Sequence, residues 1–120
     1  MKESTYSLIG YPKCSTCRKA QSYLESKGLV LPMRDIKAQP PTVEELTLWI
    51  ARSGLSVQRW FNTSGMLYRE MGLKDKVKTA PKEELMELLA SNGMLVKRPI
   101  LVSEERVLIG FREAEWSTVE

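Results

Sequence analysis

Apolar positions in the first third of the chain recur with two different spacings, and together they predict a β-α-β unit. Residues 6–10 (YSLIG) form a short run typical of a strand. Over residues 15–27 the apolar positions recur at i, i+3 and i+7, which is the spacing of one helical face. They are Cys17, Ala20 and Leu24. Gly28 is placed to end this helix, and residues 30–36 then predict a second strand.

The middle of the chain predicts helices. Thr42 followed by Glu45 has the spacing of a capping box, in which each side chain accepts a hydrogen bond from the other residue's backbone N–H. An apolar face at i, i+3 and i+4 follows (Leu46, Trp49 and Ile50), and Gly54 is placed to end this helix. Further helical segments are predicted at 56–61, at 66–71 and between Pro81 and Gly93. Because aromatic residues dominate cores, core packing is favoured over a partner-binding patch for Trp49, Trp60 and Phe61.

The last part of the chain changes to β-rich sequence. Residues 99–102 and 106–109 flank the polar segment Ser103-Glu104-Glu105 and predict a β-hairpin. Residues 113–116 begin a terminal helix. The order β-α-β, helices, β-β-α predicts an α/β (α+β) fold in which helices pack on a sheet.

Length, composition and charge narrow the class of protein. The chain has 120 residues, of which 42% are hydrophobic, so residues 1–120 are expected to form a single domain. No long apolar segment indicates a signal peptide or a membrane span, so we expect a cytoplasmic protein without a membrane partner. The net charge is +3, from 18 basic and 15 acidic residues that are mixed along the chain. This mixture predicts no direct contact with nucleic acid.

The chain contains no histidine and only two cysteines. The absence of histidine excludes Ser-His-Asp and Cys-His catalysis within the chain. Cys14 and Cys17 are too few to fill a four-thiolate zinc site, so we expect no metal. A zinc ion shared between two chains is a disfavoured alternative.

Cys14 and Cys17 form a C-x-x-C motif where the first strand gives way to the first helix. The unpaired amides and the positive dipole of a helix start favour a thiolate at Cys14, as do three nearby cations: Lys13, Arg18 and Lys19. Such surroundings lower a thiol pKa from about 8.5 to roughly 3.5–7.5. Cys17 lies on the apolar face and suits a resolving thiol, although a purely structural buried cysteine is the alternative there.

Three sequence blocks occur in order along the chain: YPKCSTCRKA, FNTSGMLY and KRPILV…VLIGF. Together they resemble the arsenate reductase (ArsC) and Spx family over nearly the whole chain. The likeness is nearest to the small arsenate-reductase branch. The resemblance implies a thioredoxin-like fold with a mixed four-stranded sheet and a helical insertion over roughly 40–95. It also implies a thiol-dependent reductase in which Cys14 attacks a small oxyanion, such as arsenate, or a disulfide. Reducing equivalents would come from glutathione and glutaredoxin or from thioredoxin, with no tightly bound cofactor.

The resemblance also implies an oxyanion cradle. Backbone amides of Ser15, Thr16 and Cys17 would supply one part, and Arg98, before a cis-proline at Pro99, would supply a forked cation. Two further arginines of the family's oxyanion cradle correspond to Asn62 and to a position near Phe111 in this chain. Asn62 is polar and is kept as a candidate binding residue. The chain therefore keeps one clear cradle arginine, and the expected substrate extends from oxyanions to disulfides.

A second function remains open, because Spx-type proteins are a sister branch. In that hypothesis the C-x-x-C pair is a redox sensor in a regulator that binds the RNA polymerase α-subunit. The intact C-x-x-C pair favours this regulator, whereas the residues of the YPKCSTCRKA and FNTSG blocks are more similar to the reductase branch.

Overall fold

A computed structural model describes residues 6–119, which form one mixed sheet with helices on both faces. The strands are β1 (Ser7–Gly10), β2 (Met33–Asp35), β3 (Ile100–Val102) and β4 (Val107–Ile109). Their order is β2-β1-β3-β4, with β1 parallel to β2 and antiparallel to β3, and β3 antiparallel to β4. The predicted mixed four-stranded sheet and the C-terminal hairpin are therefore confirmed.

Six α-helices and two 3-10 turns complete the described chain. The helices are α1 (Ser15–Ser26), α2 (Val43–Ser53), α3 (Met66–Glu70), α4 (Lys74–Thr79), α5 (Lys82–Ser91) and α6 (Glu113–Trp116). The 3-10 turns are Val57–Trp60 and Gly93–Leu95. No helix among residues 6–119 is long and apolar enough to span a bilayer.

Residues that alternate along the strands face two separate cores. Ile9 and Ile100 join the larger cluster, which packs under α2 and α5 and contains the side chains of Trp49, Trp60 and Phe61. Leu8 and Leu101 join the smaller cluster with α1 and α6. The core positions predicted for the three aromatic residues are thus confirmed.

The start of α2 is tied to β2 by a shared carboxylate. Glu45 completes the predicted capping box, with 3.1 Å bonds in both directions between Thr42 and Glu45. The same carboxylate accepts two 2.9 Å hydrogen bonds from the guanidinium of Arg34. Gly54 ends the helix in the left-handed region, at φ +72°.

Two local predictions differ from the structure, and one helix was not predicted. The second strand covers only Met33–Asp35 rather than residues 30–36, and Val30 is 75% exposed. The α4 helix has no counterpart in the sequence analysis, because its polar sequence KDKVKT contributes only Val77 to the core. Gly93 starts a 3-10 turn two residues after α5 ends, and a Cβ there would overlap the carbonyl oxygen of Ile36.

Candidate active site

A tight turn carries the chain from β1 into α1 and places Cys14 at the helix start. The N–H of Cys14 donates a 2.9 Å hydrogen bond to the carbonyl of Tyr11, which closes the turn. Cys14 occupies the N-cap position with extended backbone angles, and its carbonyl accepts the first helical bond, from Arg18. The predicted helix start at the C-x-x-C motif is confirmed, and Cys14 is half-buried rather than enclosed in the core.

Cys17 lies one helical turn further on and faces inward. Its sulfur is fully buried beside Gly10, where an added Cβ would come within 3.0 Å of Cys17 Sγ. The N–H of Tyr11 donates a 3.4 Å hydrogen bond to the same sulfur. Both cysteines are free thiols. The pair is therefore asymmetric, with an accessible sulfur in front and a buried one behind.

The surroundings of Cys14 favour its thiolate. Partial burial of the sulfur raises the pKa of Cys14, but hydrogen bonding outweighs this, and the net pKa lies below its ordinary value. The stabilising donors are the backbone N–H and thiol of Cys17, the backbone N–H of Thr16 and the Arg98 side chain. Because these donors point at a sulfur on a helix N-terminus, they stabilise negative charge there.

The surroundings of Cys17 have the opposite effect. The pKa of Cys17 is raised to about 11, chiefly because the side chain is buried. The hydrogen bond and charge of Cys14 also raise it, whereas the N–H of Tyr11 and the charge of Arg98 lower it. A proton is therefore held on Cys17 when Cys14 is ionised. The protonated Cys17 thiol is then a hydrogen-bond donor to the Cys14 thiolate.

Arg98 reaches this site from the segment that leads into β3. The Arg98–Pro99 peptide bond is cis, as the resemblance implied, and Pro99 is buried. The guanidinium carbon of Arg98 lies over the ring of Tyr11, 5.6 Å from its centroid. Within residues 6–119, Arg98 Nε and Nη1 are buried and have no hydrogen-bond partner. The structure therefore brings Arg98 together with Cys14 and Cys17, from which it is widely separated along the chain.

The remaining predicted binding residues fall into two groups. Ser15 and Thr16 form the exposed first turn of α1, beside Cys14. Asn62 lies opposite the segment that precedes Arg98, where its N–H donates to the carbonyl of Leu95 at 2.8 Å. The Asn62 side chain lies against Gly65, where an added Cβ would come within 2.7 Å of Asn62 Nδ2. Asn62 is thus engaged in its own turn.

Phe111, the other position at which the resemblance placed a cradle arginine, belongs to the smaller core cluster. Its ring packs 5.5 Å from that of Tyr23 and 5.2 Å from that of Trp116, measured between centroids. The neighbouring Arg112 is exposed at the start of α6. Neither Asn62 nor Phe111 supplies a cation, so Arg98 is the arginine that the structure places beside Cys14.

Comparison with known proteins fits this arrangement. A model of the ArsC family matches residues 9–119. The chain belongs to the ArsC family. The structure of an ArsC family related protein from Bacteroides fragilis is similar, with a TM-score of 0.93, 45% sequence identity and coverage of 98% of both chains. The mixed sheet and its helices thus form the thioredoxin-like fold of ArsC proteins, as the resemblance implied.

Two further ArsC-like proteins have names that state a function. The structure of a possible arsenate reductase from Streptococcus mutans UA159 has a TM-score of 0.83 and 43% identity, and covers 92% of this chain and 93% of that chain. The global transcriptional regulator Spx of Enterococcus faecalis is 28% identical over 104 residues, which are 87% of this chain and 77% of that protein. The names of proteins similar to this chain therefore come from both classes of function that the sequence left open.

Tyr11 is a further member of this ArsC-family site that was not predicted from the sequence. There it was interpreted only as part of the turn before Cys14, yet Tyr11 contacts Cys14, Cys17 and Arg98. The signal available in the sequence was an aromatic residue three positions before the first cysteine of a C-x-x-C motif.

Proposed function

We propose that this ArsC-family protein is a thiol-dependent reductase, with Cys14 as the nucleophile and Cys17 as the resolving thiol. The observation that carries the proposal is the placement of the two thiols: Cys14 lies half-buried at the N-cap of α1, whereas Cys17 is buried one helical turn further on. In keeping with this placement, the pKa of Cys14 is lowered and the pKa of Cys17 is raised to about 11. A thiolate is the reactive form of cysteine. Cys14 therefore attacks first, while Cys17 remains a protonated thiol until the second step.

The reaction with a disulfide balances on these two thiols. The Cys14 thiolate attacks one sulfur of the substrate, so a Cys14–S–S–R bond forms and the other half leaves as a thiolate. Cys17 then loses its proton to solvent and attacks Cys14 Sγ. A Cys14–Cys17 disulfide forms, and the second half of the substrate leaves as a thiolate. The substrate disulfide is reduced by two electrons, and the two cysteines are oxidised by the same two.

Arsenate is the alternative substrate for the same pair. Attack of the Cys14 thiolate on arsenic forms an S–As bond and breaks one As–OH bond, and the hydroxyl leaves as water after taking a proton from solvent. When Cys17 attacks Cys14 Sγ, the electrons of the S–As bond go to arsenic, which leaves as arsenite. Arg98 and the start of α1 would hold the oxyanion. With only Arg98 retained in the cradle, we expect arsenate to bind more weakly than it would to three arginines.

The resulting Cys14–Cys17 disulfide needs an external reductant in either case. Two thiols of glutathione, delivered with glutaredoxin, or the dithiol of thioredoxin would reduce it and close the cycle. No tightly bound cofactor takes part in this scheme, because thiols supply all the electrons.

Turnover with purified full-length protein tests the proposal. Arsenate and a low-molecular-weight disulfide are supplied separately, each with glutathione and glutaredoxin or with thioredoxin, and product is measured for the native protein and for Cys14→Ser and Cys17→Ser. We expect Cys14→Ser to abolish turnover with the accepted substrate, because its hydroxyl is not ionised. Cys17→Ser should mainly slow recycling and leave the first attack intact. Equal activity of Cys14→Ser and native protein would refute the reductase.

An Spx-like regulator is the second candidate, favoured by one specific observation. The adjacent free thiols at Cys14 and Cys17 can form a disulfide that reports oxidation, and the match to Spx spans 87% of this chain. In this case the protein would bind the RNA polymerase α-subunit in one redox state. Retention on immobilised α-subunit, measured for the reduced and the oxidised protein, tests it. Failure to bind in both states would exclude this regulator.

A further inference from the structure

Tyr11 contacts all three groups that the proposed reaction uses. Its carbonyl accepts a 2.9 Å hydrogen bond from the N–H of Cys14, and its own N–H donates to Cys17 Sγ at 3.4 Å. Its ring faces the guanidinium of Arg98. The first two contacts use backbone atoms, which any residue could provide. Only the contact with Arg98 depends on the aromatic side chain.

The guanidinium of Arg98 lies over that ring face. Two of its nitrogens, Nε and Nη1, are buried without a hydrogen-bond partner among the described residues. A guanidinium is planar and stacks well on an aromatic face. The ring itself is anchored, because Tyr11 is half-buried and packs against the larger core cluster. A fixed ring therefore offers the cation a fixed plane.

We propose that Tyr11 is a positioning residue whose ring orients the Arg98 guanidinium toward the sulfur of Cys14. The inference rests on the proposed function, in which Cys14 is the nucleophile. Charge stabilisation falls with distance and with exposure to water, so a guanidinium that left the ring would stabilise the thiolate less. Tyr11 acts through Arg98, and its own hydroxyl has no part in the chemistry.

The test is the rate of iodoacetamide alkylation of Cys14 as a function of pH, in the full-length protein. Tyr11→Leu removes the ring but keeps apolar bulk. We expect it to raise the pKa of Cys14 and to move the pH midpoint of alkylation upward by about half a pH unit, the size of a partly exposed cation–π contact. Tyr11→Phe keeps the ring face and should leave both quantities unchanged. A shift with Tyr11→Phe, or none with Tyr11→Leu, would overturn the proposal.

A double-mutant comparison separates positioning from simple packing. In an Arg98→Met background, Tyr11→Leu should cause no further shift in the pKa of Cys14, because the ring then has no cation to orient. The same shift in both backgrounds would mean a structural role and would refute the inference. Tyr23→Leu is the matched control. Its ring also faces a cation, Lys27 Nζ at 5.9 Å, but it packs in the smaller core cluster, so Cys14 should be unaffected.

Two further readouts keep the inference distinct from protein stability and from the reductase proposal. If Tyr11→Leu fails to fold, Tyr11→Met tests the same contact, since its flexible apolar side chain can fill the space but offers no aromatic face. It should raise the pKa of Cys14, and an unchanged value would count against the inference. Shifts in pKa without turnover on any substrate would refute the reductase and leave Tyr11 as inferred. Turnover by the native protein, together with an unchanged pKa of Cys14 in Tyr11→Leu, would support the reductase and refute the inference about Tyr11.

Discussion

Cys17 should react with an alkylating reagent much more slowly than Cys14 at neutral pH. With a pKa of about 11 rather than the ordinary 9.0, its thiolate fraction at pH 7 is about 100-fold smaller than that of an unperturbed thiol. A more basic thiolate is also more nucleophilic, which restores about tenfold. The chemical penalty is therefore about tenfold, and full burial of the side chain slows the reagent further.

Mass spectrometry of the reduced protein after brief treatment with iodoacetamide measures this difference. At pH 7 we expect a single modification, on Cys14, because the pKa of Cys14 is shifted down while that of Cys17 is shifted up. The second modification should appear as the pH rises toward 11, or at once in denaturant, where both shifts disappear. Equal rates for the two cysteines in the folded protein would refute the reasoning.

Cys14→Ser separates the two origins of the Cys17 shift. Burial raises the pKa of Cys17 and is unchanged in this variant, whereas the contributions from the hydrogen bond and charge of Cys14 are lost. We expect the pKa of Cys17 to fall below about 11 yet to stay above 9.0. A value that did not move would mean that the two thiols are not coupled. In the reaction the same relief occurs when Cys14 is tied up in a mixed disulfide, which makes Cys17 easier to ionise when it must attack.

Substitutions in the fold around the site should change the free energy of unfolding in two distinct ways. Gly93→Ala should lower the free energy of unfolding by about 3 kcal/mol, because the added Cβ would overlap the Ile36 carbonyl. Gly54→Ala should lower it by only about 1 kcal/mol, because the added Cβ meets open space and only the backbone at φ +72° is unfavourable. Urea denaturation compares them, and equal losses would contradict the packing argument. The hydrogen bond from Arg34 keeps the pKa of Glu45 below its ordinary value of 4.5, so the carboxylate stabilises the fold above that pH and loses this effect as the pH falls through its folded pKa. Glu45→Gln should therefore be less stable than native protein at pH 7, with a gap that narrows as the pH falls below 4.5. A gap independent of pH would show that the carboxylate charge is not involved.

Elements with a local and periodic signal were predictable from the sequence. The capping box of Thr42 and Glu45 and the inward face of α1 need only residues a few positions apart, and both are confirmed. The α4 helix could not be predicted in this way, because Val77 alone packs inward and no periodic face exists. Gly93 was assigned to a helix stop, whereas its close approach to Ile36 is set by tertiary packing.

The residues of the candidate site also differ in how far local sequence predicts them. Cys14 and Cys17 occupy one helical turn, so their spacing and the strand-to-helix junction were enough to place them. Arg98 was suggested only through the family resemblance, since nothing local connects it with Cys14. The contact between Tyr11 and Arg98 joins distant parts of the chain, and no periodic pattern encodes it. Long-range contacts of this kind emerge only when β1 and β3 pair.

The groups that stabilise the Cys14 thiolate differ in part from those expected from the sequence. Three cations that were expected to contribute, Lys13, Arg18 and Lys19, are all exposed in the structure. Water and salt screen charges in such positions. The donors that lower the pKa of Cys14 are instead the amides of the first helical turn, the Cys17 thiol and Arg98. These groups are fixed by the turn, the sheet and the cis-proline segment, so the reactivity of Cys14 depends on the fold itself more than on the positive charge of its neighbours in sequence.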